Sequence, residues 1–290
     1  MVYWTSTLPE LPEVETVART LAPHVTGARI TGAEVLRASA LHPLSLPPER
    51  LPGLVFTGVR RRGKLLLLDV APVAGAGALG PLPTVLAVHL RMTGRLLPRP
   101  AATCPGPYTR WLLDLEKPDG SPGRLFFDDT RAFGTVFAAT PELLAQWPFW
   151  RDLGPEPLEL EPGAFDRQLS GRRAVKAALL DQRVVAGVGN IYADEALHRA
   201  GIDPRRPVAS LGRGERRALL TALKDVLKLA IAQCGSSIRD YRDADGNAGA
   251  FQNSFAVYGR GGEPCRTCGR PLAACRVAGR ATVYCPHCQR

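Results

Sequence analysis

Apolar positions fall into three regimes along the chain. Between Val14 and Leu21 they repeat at the spacing of a helical face, behind a proline at a first-turn position and beside Glu13 and Glu15, which suit the positive end of a helix dipole. From Ile30 to Val136 the pattern changes to short apolar runs broken by Gly and Pro. Gly53-Val59, Leu65-Val70, Val85-Leu90, Trp111-Leu115, Arg124-Phe127 and Thr135-Phe137 predict the strands of a β-sandwich. The stretches Ala71 to Thr84 and Pro98 to Pro107 read as loop insertions, and Pro148 to Gly163 as a linker. Helical spacing then returns over Ala164–Ser170, Ala174–Arg183, Ile191–Ala200 and Gly214–Cys234, followed by a polar loop from Gly235 to about Asn253 and a cysteine-rich end. The prediction is an α+β chain: a β-sandwich with flanking helices over 9–147, a linker over 148–163, a helical region over 164–253 and a cysteine hairpin over 254–290.

Composition narrows the partner. The chain has 290 residues, 45% of them hydrophobic, enough for two domains. Pro, Gly or charge interrupts every apolar run before it reaches the length of a membrane span, so no membrane association is expected. Lys and Arg number 37 against 27 Asp and Glu, a net charge of +10 that favours a polyanionic partner. Charge alone does not say which polyanion, and a basic protein with no nucleic-acid role has the same composition.

Seven cysteines in a short secreted chain would suggest disulfides, but four of them form Cys265-x-x-Cys268 and Cys285-x-x-Cys288 with sixteen residues between the pairs. Two turns contributing two thiolates each complete a tetrahedral zinc and leave no open position, so the expectation is one structural Zn2+. Cys104, Cys234 and Cys275 are taken as ordinary thiols, and His287 as surplus to a complete set of four. Gly187-Val188-Gly189-Asn190 reads as a turn between helices, with Asn190 capping a helix from Ile191 and free amides at that helix start facing an anion; taken alone, such glycines are more often simply a turn.

The remaining signal is Pro9-Glu10-Leu11-Pro12-Glu13-Val14-Glu15-Thr16. Inside a chain a proline nitrogen is a tertiary amide without basicity; as a first residue it is a secondary amine able to attack an electrophilic carbon and form an iminium. Leucine codons such as TTG and CTG can start translation; together with the family resemblance of the segment that follows, this makes residues 1–8 an expected mis-called start, with an extension that is cut off or one that leaves the protein inactive as the rivals. The segment lacks the basic and apolar regions of a signal peptide.

That octad resembles the amino terminus of the formamidopyrimidine-DNA glycosylases. Asp181 to Pro204, with Val-Gly-Asn-Ile-Tyr-Ala and Ala-Gly-Ile-Asp-Pro, resembles the helix-two-turn-helix of the same family, and the resemblance runs from Pro9 to Arg290 apart from the two insertions. It implies a bacterial base excision repair enzyme that acts on double-stranded DNA containing oxidised bases, works as a monomer and resides in the cytoplasm with the nucleoid. By resemblance Pro9 is the nucleophile, Glu10 the proton carrier and Glu13 an orienting carboxylate. Lys64 would contact phosphate and assist catalysis. Met92, Arg131 and Phe133 would fill the hole left by an everted base, Asn190 would hold a phosphate, Lys176 would lie near the flipped nucleotide, and Arg280 on the zinc hairpin would meet the backbone. Where the family often has a second arginine this chain has Ala132, which leaves one backbone contact weaker or otherwise supplied.

The start Pro-Glu-Leu-Pro-Glu-Val-Glu and a loop over Ser236–Phe255 of the length of the family's lesion-capping loop imply the purine-directed branch, with 8-oxoguanine and formamidopyrimidines as substrates. An endonuclease VIII-like enzyme acting on oxidised pyrimidines is one alternative, and a non-catalytic zinc-ribbon DNA-binding protein is another. The second explains charge, zinc and helix turn but gives no reason for a proline and glutamates at the terminus.

Overall fold

The computed structural model describes residues 9–73, 80–237 and 241–290. Residues 1–8, the middle of the Ala71–Thr84 insertion and part of the Ser236–Phe255 loop therefore lie outside the described residues. The chain divides into two compact units that do not follow chain order: Glu13–Arg151 with Pro9 and Ser237–Gly249, and Glu10–Pro12 with Asp152–Ser236 and Ala250–Arg290. Among the described residues no helix is long and apolar enough to cross a membrane.

The first unit is built on α1 (Leu11–Val25) and eight antiparallel strands: β1 (Arg29–Val35), β2 (Leu54–Arg62), β3 (Leu65–Pro72), β4 (Val85–His89), β5 (Gly94–Pro100), β6 (Thr109–Glu116), β7 (Pro122–Asp129) and β8 (Thr135–Ala139). They run in the order β5-β7-β6-β1-β2-β3-β4-β8. The β1 and β2 pairing is confined to Arg29 opposite Val55, so two four-stranded halves hinge there. Ile30, Trp111, Leu113 and Phe127 of one half and Phe56, Leu66, Leu68 and Val88 of the other enter a single core. The apolar stripe of α1, Val14, Val17, Ala18, Leu21 and Val25, packs into it. The sandwich inferred from the short apolar runs is this arrangement.

Strand β3 explains its uninterrupted leucines. Leu66 and Leu68 face the large core, while Leu65 and Leu67 face a second cluster with Val85, Ala87, Phe137 and Trp147. Two short helices the sequence pattern does not announce, α2 (Pro141–Gln146) and α3 (Pro148–Arg151), lie beside that cluster, with Leu144 buried in it and Phe149 and Trp150 packed on it. A strand covered on both faces loses its period-2 alternation.

Two readings change here. Pro98 to Pro100 are not loop: they continue β5, paired to Leu125, Arg124 and Gly123 of β7. Prolines are tolerated because β5 is the last strand of its half. At the other edge, β8 is covered by chain from the loop after β1: the His42 and Leu46 amides donate to the Val136 and Ala138 carbonyls, and the Ala138 amide donates to Ser45 Oγ. The segment 237–249 belongs with α1 because the Tyr241 hydroxyl donates to the Glu13 carbonyl at 3.1 Å, the Ala244 amide to Thr20 Oγ1 at 3.2 Å, and His24 Nε2 meets Asp245 at 2.6 Å.

The second unit carries α4 (Pro162–Gln168), α5 (Val175–Leu180), α6 (Asn190–Arg199), α7 (Arg213–Ala232) and the hairpin of β9 (Ala273–Val277) and β10 (Arg280–Tyr284). The stretch 152–161 before α4 packs rather than dangles: the Gly154 amide donates to the Gln182 carbonyl, and a Cβ at Gly154 would sit 2.6 Å from the Arg183 carbonyl oxygen. Helix α6 is buried continuously from Ile191 to Leu197, Asp194 and Glu195 included. Between β9 and β10 the turn Ala278-Gly279 has positive φ at both residues, as a type I′ hairpin requires.

Candidate nucleic-acid interface and zinc centre

In the first unit, Lys64 follows Gly63 in the two-residue turn between β2 and β3. Gly63 is at φ +56°, the type II′ geometry that glycine favours at the first turn position. Lys64 is only 9% exposed, so it is not an ordinary solvated charge. Arg61 braces the turn, donating to the Gly63 carbonyl and to Glu15 of α1. His89 lies beneath: burial above all, with the Arg91 and Lys64 charges adding to it, lowers its pKa to about 3. It is therefore neutral at physiological pH, and its Nδ1 accepts the Arg91 amide at 3.0 Å.

Met92, Arg131 and Phe133, the residues expected to form the wedge, sit on two adjacent turns organised by one acid. Asp129 is 1% exposed; its Oδ1 accepts from Thr93 Oγ1 and the Arg131 amide, and its Oδ2 from the Gly134 amide at 2.7 Å. The Asp129 carbonyl also accepts from Arg110 Nε. This ties the turn carrying Met92 to the one carrying Arg131 and Phe133. Phe133 is 53% exposed, with the Arg131 guanidinium 4.9 Å over its ring. The cation over its face holds the ring at the surface. Ala132 between them is at φ +54°, a conformation L residues adopt at a cost.

In the second unit, Glu10 is 2% exposed and its carboxylate lies across the start of α6. Oε2 accepts the Gly189 amide at 2.7 Å and Oε1 the Ile191 amide at 3.0 Å. This corrects the expectation of free amides facing an anion: the anion at this helix start is Glu10. Asn190 is the first residue of α6 rather than its cap, which is Gly189. A Cβ at Gly189 would lie 2.4 Å from the Glu10 carboxyl carbon, so glycine is needed for the approach. The neighbouring Leu11 amide donates to the Gly187 carbonyl at 3.0 Å. The Tyr258 phenol stands nearby: burial, then the Glu10 charge, pushes it up to about 12, against a hydrogen bond with Asn190.

Asn190 Nδ2 donates to the Ala281 carbonyl of β10 at 3.0 Å. Lys176 is wholly buried, with Nζ 2.7 Å from Asp194 Oδ1. Burial pushes Asp194 up to about 7 against the pull of Lys176, and draws Lys176 below the usual lysine value against the pull of Asp194. Arg280 opens β10 with its side chain exposed. Asp129, His89, Asp194 and Tyr258 were not singled out from sequence. The only signal was the position of Asp129 two residues before Arg131.

The four Sγ atoms of Cys265, Cys268, Cys285 and Cys288 lie within 4.8 Å of one another, and none is in a disulfide. Zinc-thiolate bonds of about 2.3 Å put tetrahedral sulfurs about 3.8 Å apart, so the set fits. Cys275 and His287 stand outside the cluster. The site is a structural zinc centre, and it has outer-shell donors: the Cys288 amide points at Cys285 Sγ, and His198 Nε2 lies 3.6 Å from Cys265 Sγ.

Two outcomes follow. Gly189→Ala should displace the Glu10 carboxylate, lower stability by about 1–3 kcal/mol and accelerate hydrogen exchange of the Ile191 amide; unchanged protection at Ile191 would contradict the geometry. Elemental analysis should find one zinc per chain, and Cys285→Ser should lose it together with exchange protection in β9 and β10.

Comparison with known proteins bears on the whole chain. Residues 8–136 match the formamidopyrimidine-DNA glycosylase N-terminal domain, residues 153–242 the formamidopyrimidine-DNA glycosylase H2TH domain, and residues 262–290 the zinc finger found in FPG and IleRS. A formamidopyrimidine-DNA glycosylase of Nitratidesulfovibrio vulgaris is 62% identical over 206 residues, 71% of this chain and 55% of that protein, so the match spans about half the relative's length. One from Desulfitobacterium hafniense is 42% identical over 287 residues, 97% of this chain and 100% of the relative. Among solved structures, the MutM (Fpg) protein of Thermus thermophilus is 41% identical with a TM-score of 0.82, covering 97% of this chain and 98% of that one. Lactococcus lactis Fpg in complex with DNA containing an abasic site is 31% identical with a TM-score of 0.83, covering 97% and 99%. The chain belongs to the formamidopyrimidine-DNA glycosylase family.

Proposed function

We propose that this protein is a DNA glycosylase of base excision repair that removes oxidised purines, 8-oxoguanine and formamidopyrimidines, from double-stranded DNA and then cuts the strand as an abasic-site lyase. The observation that carries this reading is the Pro9-Glu10 pair at the head of the family match, with the Glu10 carboxylate fixed by two backbone amides. The N-terminal family match begins at residue 8, so the Pro9-Glu10 pair lies at its head. The protein acts as a monomer with the nucleoid in the bacterial cytoplasm.

With Pro9 as first residue, its secondary amine attacks C1′ of the damaged nucleotide and the base leaves with the electrons of the glycosidic bond. An α-amino group titrates near about 8 and a lysine near about 10.4, so the terminal amine has the larger neutral fraction at pH 7. Glu10 carries the proton to the opening sugar oxygen. The Gly189 and Ile191 amides hold its carboxylate in place for this role. The resulting iminium acidifies C2′; loss of that proton expels the 3′ phosphate, a second elimination expels the 5′ phosphate, and water releases the sugar fragment and regenerates the amine. Glu13 orients the start of α1, and Lys64 neutralises a phosphate at the lesion. Met92 and Phe133 fill the vacated stack while Arg131 reads the orphaned base, which offsets an unstacking cost of a few kcal/mol. Asn190 and Arg280 hold the backbone, and the zinc stabilises the hairpin that presents Arg280.

Borohydride trapping of protein begun at Pro9, on a duplex with 8-oxoguanine opposite cytosine, should give a covalent adduct mapping to Pro9. Tight binding without an adduct would favour a non-catalytic DNA-binding role, and an adduct only with an oxidised pyrimidine would favour the endonuclease VIII-like alternative. Arg131→Ala should retain trapping yet lower discrimination between opposing bases by roughly tenfold, about 1.4 kcal/mol. Equal discrimination by variant and parent would remove Arg131 from the wedge.

A further inference from the structure

Lys176 turns its ammonium inward, donating to two groups of β10 and pairing with Asp194. Its ammonium has three hydrogens, and three acceptors surround it: the Ala281 carbonyl at 3.0 Å, Thr282 Oγ1 at 2.7 Å and Asp194 Oδ1 at 2.7 Å. The side chain is 0% exposed. Resemblance implies that this lysine lies near the flipped nucleotide; among the described residues its ammonium meets Ala281, Thr282 and Asp194, all of the second unit.

The acceptors follow from the hairpin. In β10, Arg280 and Thr282 pair with Val277 and Cys275, so the backbone groups of the intervening Ala281 and Val283 point away from β9. These orphaned groups meet α6. Asn190 and Asp194, four residues apart, share one face of that helix; Asn190 Nδ2 donates to the Ala281 carbonyl at 3.0 Å, and the Val283 amide donates to Asp194 Oδ2 at 3.2 Å. Lys176 donates to the same Ala281 carbonyl that holds Asn190. Lysine, aspartate, asparagine and strand thus form one closed circuit.

We propose that Lys176 and Asp194 are a buried positioning pair that sets the Asn190 amide through the shared Ala281 carbonyl, and that Lys176 makes no phosphate contact. The proposal rests on the DNA-binding reading above. Its electrostatic signature differs from that of a phosphate ligand. A lysine on a phosphate releases a counterion, so removing it lowers the salt slope of binding by about 0.9. A positioning lysine leaves that slope intact. Removing an acidic charge from a DNA-binding unit should tighten binding by simple electrostatics, whereas a positioning aspartate weakens binding when removed.

The test uses the full chain with its zinc and a fluorescein-labelled duplex carrying a tetrahydrofuran abasic analogue, titrated at several KCl concentrations. Lys176→Met should weaken binding about tenfold at every salt concentration with the parent slope, and Arg280→Ala should lower the slope. Asp194→Asn should also weaken binding about tenfold, and in an Asn190→Ala background it should add less than twofold, because the pair acts through that amide. A slope lowered by about 0.9 in Lys176→Met, or binding unchanged or tightened by Asp194→Asn, would overturn the proposal. So would a full tenfold loss from Asp194→Asn in the Asn190→Ala background, the result of a merely structural role. If Lys176→Met loses zinc, the isosteric Asp194→Asn and its double variant decide alone. Failure of the parent protein to bind the duplex would count against the DNA-binding reading instead.

Discussion

A carboxylate withdrawn from water has to be given donors, and the second unit meets that demand for Glu10 with the amides of Gly189 and Ile191. Much of the unit is arranged around this contact. Gly189 has no side chain because the carboxyl group occupies the space of one, and α6 begins where it does because its unpaired amides are engaged there. The same helix uses each following turn in kind. Asn190 and Asp194 take the outer edge of β10, and Glu195 accepts the amides of Ala256, Val257 and Tyr258 at the entrance to the zinc hairpin. A helix buried over seven successive residues, two of them acidic, is stable because each acid is answered by amides or by Lys176.

The first unit shows the same economy with a different acid. Asp129 holds two turns in register through four acceptor contacts, so the exposed Arg131 and Phe133 rest on a rigid base even though Ala132 between them sits in an unfavourable conformation. Neutral His89 fixes the neighbouring turn at Arg91. The exposed side chains of this face are thereby presented from turns, with the buried acid and imidazole supplying the order that turns lack by themselves.

What the sequence made legible were features whose physics is local. Cysteine spacing fixes a four-thiolate cluster, and short apolar runs broken by Gly and Pro mark strands. Features set by distant partners were not legible. Glu10 meets amides nearly 180 positions away, so the start of α6 reads as an open anion site until the chain is folded. Lys176 looks like any basic residue in the first turn of a helix, and its burial depends on a strand more than a hundred positions later. The prolines of β5 read as loop because local preference outweighs the sheet edge that accommodates them.

Those prolines have a further consequence. Pro98 and Pro100 lack amide hydrogens on the outer side of β5, and the other border, β8, is already bonded to the 42–46 segment. A sheet bordered in these two ways gives an incoming strand almost no register to lengthen it. In the finished sheet, therefore, neither border offers a long open edge at which a strand of another copy could add.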